Sequence, residues 1–479
     1  MTRTFFLKAF LILFVCGLTV ADIKLPSVIG NNMVLQQNSD ASIWGWGNAG
    51  EKVTVAGSWH KKIYSAIADE DGKWSVKVLT PKAGGPYTLT VKGDNLITLK
   101  NIMIGEVWLC GGQSNMAMTF YREKKAGDKT IVYKIDNHEQ ERLAADYPDI
   151  RVLRAKANPW HSETPVDDVR GSWQVCAPDM AENMPAVPYF FGRELHKKLD
   201  VPVGLIVNAV PATRVEPWTN AAGFDSVPEL KSIASELKKE DTVLKDKPGV
   251  LYNTLVHPLV PYAIRGAIWY QGESNLGDHM IYYHKMRALI NGWRKVWGQG
   301  DFPFYFVQLA PCGGFYEDMQ LPKLWEAQAA ALDIKNTGMA LNSDLSDLDL
   351  HPANKQDVGK RLAQLALAKN YGVKGIVYDG PSYRSMEVQD NKIRISFNNA
   401  GGPLQSRDGR PLDWFTIAGD DKVFIPAKAK IDDDGVVVYN EKITRPVAVR
   451  FGWKKEAQPN LMNAEGLPAY PFRTDDWSL

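Results

Sequence analysis

The pattern of apolar and polar positions changes twice along this chain of 479 residues. Between residues 22 and 102, short runs such as 52–55 and 75–78 alternate or consist of strand-forming residues, and turns such as Asp71-Gly72 separate them. Short strands at this spacing, divided by Gly and Pro turns, predict a β-sandwich. We therefore predict an N-terminal β-sandwich domain at 22–102.

From residue 103 to about 375, apolar strands alternate with segments of helical period. Tyr282, Met286, Leu289 and Trp293, for example, recur at helical spacing. This alternation predicts an α/β domain with an open, mostly parallel sheet, whose ligand site lies at the carboxyl ends of the strands. The predicted strands are 107–110, 150–153, 203–208, 267–270, 303–309 and 339–342.

The strand pattern returns after residue 375, most clearly in the alternating run 392–397, and predicts a C-terminal β domain at 376–479. Two polar segments within the α/β region contain no motif that suggests a function. We expect helix or loop at 124–145 and a solvated surface helix at 227–247.

Residues 1–21 have the pattern of a secretory signal peptide, with Arg3 and Lys8 before an apolar run and small residues at its end. We therefore expect a secreted or periplasmic protein without a membrane span. The formal net charge of +1 gives no case for nucleic acid or an anionic membrane as partner. Three scattered cysteines would remain in the mature chain, too few for a disulfide framework.

The first segment that could carry chemistry is the end of the strand at 107–110. Gly111 and Gly112 follow it, and Ser114 comes just after them. A serine at such a strand end can attack a carbonyl carbon, and its own N–H can stabilise the oxyanion that forms. The alternative interpretation is a polar turn without chemistry.

Three further segments follow predicted strands, at 208–218, 269–275 and 344–352. In a parallel sheet all four segments lie at the same edge. His351, in the last segment, is the predicted general base, and Asp349 is the predicted acid that orients it, with Asp344 and Asp347 as alternatives. The competing interpretation is a surface histidine beside capping aspartates. The metal-binding motif HExxH and a complete calcium loop are absent from the sequence.

The side-chain amides of Gln271 and Asn275 could donate to an oxyanion. Glu273 could bind a sugar hydroxyl, orient a neighbour or form an ion pair. Trp218 could form the floor of a sugar site or belong to the core.

With these segments in view, the chain resembles the sialate O-acetylesterase family within the SGNH hydrolases. The resemblance rests on GQSNM at 112–116, WYQGESN at 269–275 and DLHP at 349–352, and it extends to LPSVIGNNMVLQ at 25–36 and GLPAYPFRTDDW at 466–477. It implies an SGNH-type three-layer α/β/α core at 103–375 with flanking β modules. It also implies hydrolysis of O-acetyl esters on sialic acid or related sugars, without metal or cofactor.

Carried over by motif, the resemblance makes Ser114 the nucleophile, His351 the base and Asp349 the acid. We further predict that Gln113 and Glu273 bind the substrate. One position departs from the family pattern, because Pro211 and Ala212 stand where the family commonly has two glycines. Proline has no N–H to donate to an oxyanion, so that role would fall to Ala212.

Two alternatives stay open at this point. One is the same chemistry on another glycan, such as acetylated xylan, and the other is a glycan-binding protein without catalysis. The oligomeric state is not predicted.

Overall fold

A computed structural model describes residues 22–127, 129–156, 162–236, 247–314, 316–398 and 402–478. The predicted signal peptide at 1–21 lies outside these residues, and so does the part of the predicted surface helix at 237–246.

The N-terminal region consists of short strands whose side chains alternate between buried and more exposed positions, as in β3, where Val53 and Val55 are buried. The last strand, β7, runs without interruption into the centre of the molecule, across the predicted boundary at 102–103. The N-terminal region and the α/β region therefore share one strand and one continuous apolar core. The strands are β1 Val34–Gln36, β2 Asp40–Trp46, β3 Lys52–Gly57, β4 Ile63–Ile67, β5 Lys73–Leu79, β6 Gly84–Lys92 and β7 Leu96–Gly112.

The middle of the chain forms a mixed sheet around β7, with strands that bury nearly every residue. Its strand order is β11-β10-β12-β7-β13-β14-β15, and all pairs are parallel except the antiparallel edge pair β10–β11. The six strands predicted for this region are confirmed. The strands are β8 Tyr121–Ala126, β9 Lys129–Lys134, β10 Tyr147–Arg154, β11 Trp173–Cys176, β12 Val203–Ala209, β13 Gly266–Tyr270, β14 Phe304–Val307 and β15 Thr337–Ala340.

Helices approach the central sheet from both faces. The ring of Trp108 packs on Phe191 of α4 at a centroid distance of 5.0 Å, whereas a side chain at Gly111 would meet Trp293 of α7. Because side chains alternate along a strand, these two helices lie on opposite faces. None of the described helices is both long enough and apolar enough to cross a membrane. The helices are α1 Ser114–Ala117, α2 His138–Leu143, α3 Pro178–Ala181, α4 Ala186–Leu199, α5 Ala221–Asp225, α6 Lys231–Glu236, α7 Ile281–Trp297, α8 Gln320–Ala330 and α9 Lys355–Lys369.

The C-terminal region has its own apolar core, formed by residues such as Ile393, Ile417 and Val449. Its strands build two four-stranded sheets and one two-stranded pair. They are β16 Ser382–Gln389, β17 Lys392–Asn398, β18 Gln405–Ser406, β19 Phe415–Ala418, β20 Ile425–Pro426, β21 Lys428–Asp432, β22 Gly435–Tyr439, β23 Ala448–Phe451, β24 Leu461–Met462 and β25 Phe472–Arg473.

The prediction of helix or loop at 124–145 is wrong in its first half, since β8 and β9 form an antiparallel hairpin. The hairpin is mostly exposed and pairs only with itself. It therefore lacks the apolar alternation by which a half-buried strand is recognised.

Candidate active site

Gly112 is the point at which the first three segments meet. Its φ is +141°, and a Cβ at this position would lie 2.2 Å from the Tyr270 carbonyl oxygen, so only glycine fits. This close approach lets the Gln113 N–H donate to the Tyr270 carbonyl at 3.0 Å, and the Val210 N–H donate to the Gly112 carbonyl at 3.0 Å. The strand end before Ser114 is thereby tied to the strand ends on both sides.

Asn115, the residue after Ser114, connects this strand end to the fourth segment. Its Nδ2 donates to the carbonyl oxygen of Leu350 at 3.1 Å and to Oε1 of Glu273 at 2.6 Å. Its Oδ1 accepts from Nζ of Lys355 at 2.6 Å, across 240 residues of sequence. Because Leu350 directly precedes His351, one buried amide holds the predicted nucleophile and the predicted base in register.

Lys355 is fully buried, and burial lowers the pKa of its ammonium to about 7, while the carboxylate of Glu273 opposes this shift. The pKa of Glu273 is raised by its own burial, and its Oε2 is a buried oxygen without a hydrogen-bond partner among the described residues. The amide of Asn115 thus separates a buried cation from a buried acid.

The imidazole of His351 is partly buried, and the ring of Tyr133 from the hairpin stands edge-on to it at a centroid distance of 5.5 Å. Burial lowers the pKa of His351, the charge of Lys355 lowers it further, and Asp349 raises it. The neutral imidazole, which can accept a proton, is therefore favoured. Helix α9 begins at Lys355, four residues after the histidine, and the charge of this first helical residue is the second cause of the lowered pKa of His351.

The three candidate acids are held in different ways. Asp344 forms two hydrogen bonds with Arg361, at 2.6 and 2.7 Å, and is committed to that ion pair. Asp347 accepts from the backbone N–H of Asp349 at 3.1 Å. Asp349 is exposed and accepts from the backbone N–H of His351 at 2.8 Å. This bond places Asp349 beside the histidine, but it is made to the backbone and not to the imidazole ring.

The C-terminal region contacts the loop at 344–352, which carries His351. Nε2 of Gln458 donates to the carbonyl of Ser346 at 2.9 Å, and Arg407 donates to the carbonyl of Asp344 at 3.3 Å. The segment that carries His351 is therefore braced from outside the α/β region.

Gln271 and Asn275 have no amide hydrogen left for an oxyanion. Nε2 of Gln271 donates to the Thr213 carbonyl and to Oδ1 of Asn275, while Nδ2 of Asn275 donates to Glu216 and Asp278. Both side chains are fully buried. The structure contradicts their predicted role as donors and shows instead that they join the second segment to the third.

Trp218 does not form the floor of a sugar site, because its ring has no exposed surface and its Nε1 donates to Thr213. It packs edge-on against Trp269 at 5.8 Å and belongs to the core. Gln113 is also nearly buried, and its Oε1 accepts from the Gly272 N–H at 3.4 Å.

The backbone N–H groups of Ser114 and Ala212 donate to no acceptor among the described residues, so both can donate to a bound oxyanion. Ala212 is exposed and has a φ of +57°, a left-handed conformation that glycine adopts without strain. Ala212 therefore adopts a backbone conformation that is more typical of glycine.

Sequence reasoning missed Asn115, Lys355 and Tyr133. The first two stand in or next to the motifs at 112–116 and 349–352, yet nothing in one sequence indicates that they bond to each other. The signal for Tyr133 was weaker still, because an exposed hairpin has no buried face.

The described residues contain no group of three or more His, Cys, Asp and Glu side chains placed to hold a metal ion. Cys110, Cys176 and Cys312 are all buried.

The chain is similar to known proteins over most of its length. Residues 104–368 match the family model described as "Carbohydrate esterase, sialic acid-specific acetylesterase". The human sialate O-acetylesterase is 31% identical over 505 residues, which cover 94% of this chain and 92% of the human protein. The rat protein of the same name is 30% identical over 90% of this chain and 89% of its own length.

A solved structure shares the fold over nearly the whole chain. The crystal structure of a carbohydrate acetylesterase from Xanthomonas citri superposes with a TM-score of 0.85 at 32% identity, covering 95% of this chain and 100% of that one. The family resemblance noted from the motifs is confirmed, and the chain belongs to the sialate O-acetylesterase family of carbohydrate esterases, as a carboxylic ester hydrolase.

Proposed function

We propose that this protein removes O-acetyl groups from sialic acids or related sugars, with Ser114 as nucleophile and His351 as general base. The observation that carries the proposal is the amide of Asn115, which bonds the residue after Ser114 to the residue before His351. The names of the relatives support an acetylated sugar as substrate.

In the first half-reaction, Oγ of Ser114 attacks the acetyl carbonyl carbon and His351 takes the hydroxyl proton. The carbonyl oxygen becomes an oxyanion, which the N–H groups of Ser114 and Ala212 stabilise. When the intermediate collapses, the bond to the sugar oxygen breaks and His351 returns the proton to that oxygen. The sugar leaves and an acetyl ester stays on Ser114.

In the second half-reaction, His351 takes a proton from water as the water oxygen attacks the acetyl-enzyme. Collapse of the second oxyanion breaks the ester to Ser114, which recovers its proton from His351, and acetate leaves. The lowered pKa of His351 keeps the ring ready to accept a proton at neutral pH. Asp349 lies beside the ring and stabilises the imidazolium electrostatically, which makes it the preferred acid over Asp344 and Asp347.

Gln113 and Glu273 are proposed to face the substrate. The unpartnered Oε2 of Glu273 is suited to accept a hydrogen bond from a sugar hydroxyl, because a buried carboxylate oxygen without a partner is costly. We also propose that the α/β region is an SGNH-type three-layer core, because it contains the motifs at 112–116, 269–275 and 349–352.

The experiment is acetate release from O-acetylated sialic acid, with Ser114→Ala as the control. We expect the variant to lose activity by at least a thousandfold, because the residual rate comes from the remaining groups alone. Undiminished release from that variant would refute the assignment of the nucleophile.

A second substrate class is favoured by the relative from Xanthomonas citri, which is described as a carbohydrate acetylesterase rather than a sialate O-acetylesterase. Rates on acetylated xylan and on acetylated sialic acid, measured side by side, decide between the two. A glycan-binding protein without catalysis is the remaining alternative, and it would not be labelled by a serine-reactive fluorophosphonate.

We also propose that the protein is secreted or periplasmic, on the pattern of residues 1–21. The mass of the protein recovered from expressing cells tests this, since cleavage of the signal peptide leaves Asp22 as the first residue.

A further inference from the structure

The hairpin of β8 and β9 lies beside the proposed base, because its Tyr133 contacts the ring of His351. It begins seven residues after Ser114, and its base is closed by a hydrogen bond from the Ile135 N–H to the Phe120 carbonyl at 3.0 Å. The next residue ties this base to the loop after His351, because the Asp136 N–H donates to the Ala353 carbonyl at 3.1 Å. The hairpin is therefore fixed at its base against the loop that carries His351.

The contact between Tyr133 and His351 shows which face of the hairpin is turned towards the site. Residues directly opposite each other in an antiparallel pair project from the same face, as do every second residues along one strand. Arg122 lies opposite Tyr133, and Lys124 lies opposite Ile131. The face that carries Tyr133 therefore also carries two cations.

These cations have no acidic partner among the described residues. Neither Arg122 nor Lys124 takes part in any of the ion pairs found there, although Glu123 lies between them in sequence. Glu123 projects from the other face, opposite Val132, and accepts from the hydroxyl of Tyr121.

A third cation lies close by. Arg154 is the last residue of β10, a strand of the central parallel sheet. Its pKa is lowered, first by burial and then by the charge of Arg122, which means that the two guanidinium groups are near each other. Like charges held together in this way form a favourable place for an anion.

Tyr133 stands beside the imidazole that is proposed to protonate the leaving sugar oxygen. In the proposed reaction His351 returns its proton to the sugar oxygen, so the sugar must sit against the imidazole. An aromatic ring and unpaired cations beside that position match a sugar ring that carries a carboxylate.

We propose that the face of the hairpin formed by Tyr133, Arg122 and Lys124 is a binding subsite for the carboxylate-bearing sugar from which the acetyl group is removed. This inference rests on the proposed esterase function and names the residues that would select an acidic sugar over a neutral one. Tyr133 contacts the ring of the sugar, and the two cations attract its carboxylate.

The experiment compares an O-acetylated sialic acid with its carboxyl methyl ester, which has nearly the same shape but no charge. The double variant Arg122→Gln with Lys124→Gln is expected to lower the preference for the acid, measured as the ratio of the two kcat/KM values, by about tenfold, a fewfold for each partly exposed ion pair. The loss should appear mainly in KM.

The matched control is the double variant Lys125→Gln with Lys134→Gln, which removes the same charge from the opposite face of the hairpin. We expect this control to keep the preference of the parent protein. Equal losses in both double variants would mean that only the net charge matters, and no loss in either would mean that the face does not contact the carboxylate. Both outcomes overturn the proposal.

Three further measurements keep the test independent of the other proposals. Hydrolysis of 4-nitrophenyl acetate and the circular dichroism spectrum report whether each variant is folded, and the single variant Arg122→Gln replaces the double variant if the latter does not fold. Titration calorimetry with deacetylated sialic acid and its methyl ester tests the subsite even if the protein releases no acetate. Failure of the esterase proposal is thus distinguished from failure of the subsite.

Discussion

Replacement of Lys355 by methionine should change how the stability of this protein depends on pH. The lysine is fully buried, and its pKa falls from the ordinary value of 10.5 to about 7. Each tenfold change in proton affinity is equivalent to about 1.4 kcal/mol, so holding the charged ammonium in the fold costs about 5 kcal/mol. Methionine fills a similar volume and carries no charge.

The sign of the effect follows from proton linkage. Between about pH 7 and pH 10.5 the unfolded chain binds a proton at Lys355 that the folded chain does not, so this residue makes the free energy of unfolding rise with pH. Below pH 7 both states are charged and the full penalty is present. About half of the penalty should be gone by pH 9.

The assay is urea unfolding of the parent protein and of Lys355→Met at several pH values between 6 and 9.5. The variant should gain stability relative to the parent at pH 6, and this gain should shrink steadily towards pH 9.5. Loss of the hydrogen bond to Oδ1 of Asn115 removes about 1–3 kcal/mol from the gain at every pH and leaves its slope unchanged. The control is Lys360→Met, on the exposed face of the same helix.

The same variant should shift the pH dependence of catalysis. Lys355 lowers the pKa of His351, so its removal should raise that pKa and move the acid limb of the kcat/KM profile to higher pH. A stability difference that is independent of pH would refute the assignment of Lys355 as a buried, weakly basic amine. An acid limb that stays in place would refute its electrostatic effect on the histidine.

Other substitutions test the geometry of the site and its support. Asn115→Leu should lower kcat by about a hundredfold with little change in KM, because the hydrogen bond that positions Ser114 relative to His351 is lost. A change in KM alone, with kcat unaltered, would argue against a positioning role. Gly112→Ala should abolish ester hydrolysis and lower the melting temperature, since its Cβ would meet backbone 2.2 Å away; normal melting would contradict this. Ala212→Gly should raise the free energy of unfolding by up to about 1 kcal/mol by relieving left-handed strain, without loss of activity. Glu106→Gln should lower it by about 3 kcal/mol in urea unfolding, because this buried carboxylate accepts both hydrogen bonds from Arg265; an unchanged midpoint would exclude that role.

The sequence alone was sufficient to predict the six parallel strands of the central sheet, but not its antiparallel edge strand β11, and to select the residues proposed to react. A run such as 203–208 is apolar at nearly every position, and its burial depends mainly on its own composition. The paired glycines before Ser114 likewise indicate a tight turn by local sterics, and the structure contains that turn at Gly112.

Side-chain partners could not be read in the same way. Gln271 and Asn275 carry the chemistry of an oxyanion hole, but their amide hydrogens are taken by groups from the second segment and by Asp278. Trp218 could equally well have been exposed or buried. The composition of the segment is the same in both cases, and the elements that pack around it determine whether the side chain is buried.

The largest contributions of the tertiary structure are the bond between Asn115 and Lys355, the lowered pKa of that lysine, and the placement of Tyr133 beside His351. Local sterics and hydrophobic periodicity act over a few residues, and they determined the strands, the helices and the sharp turn. Charge state and contact depend on burial by residues far away in sequence. For this reason short sequence motifs were enough to predict the candidate reactive residues. The pKa shifts in the site, and the hairpin face that is proposed to bind the sugar, could be found only from the tertiary structure.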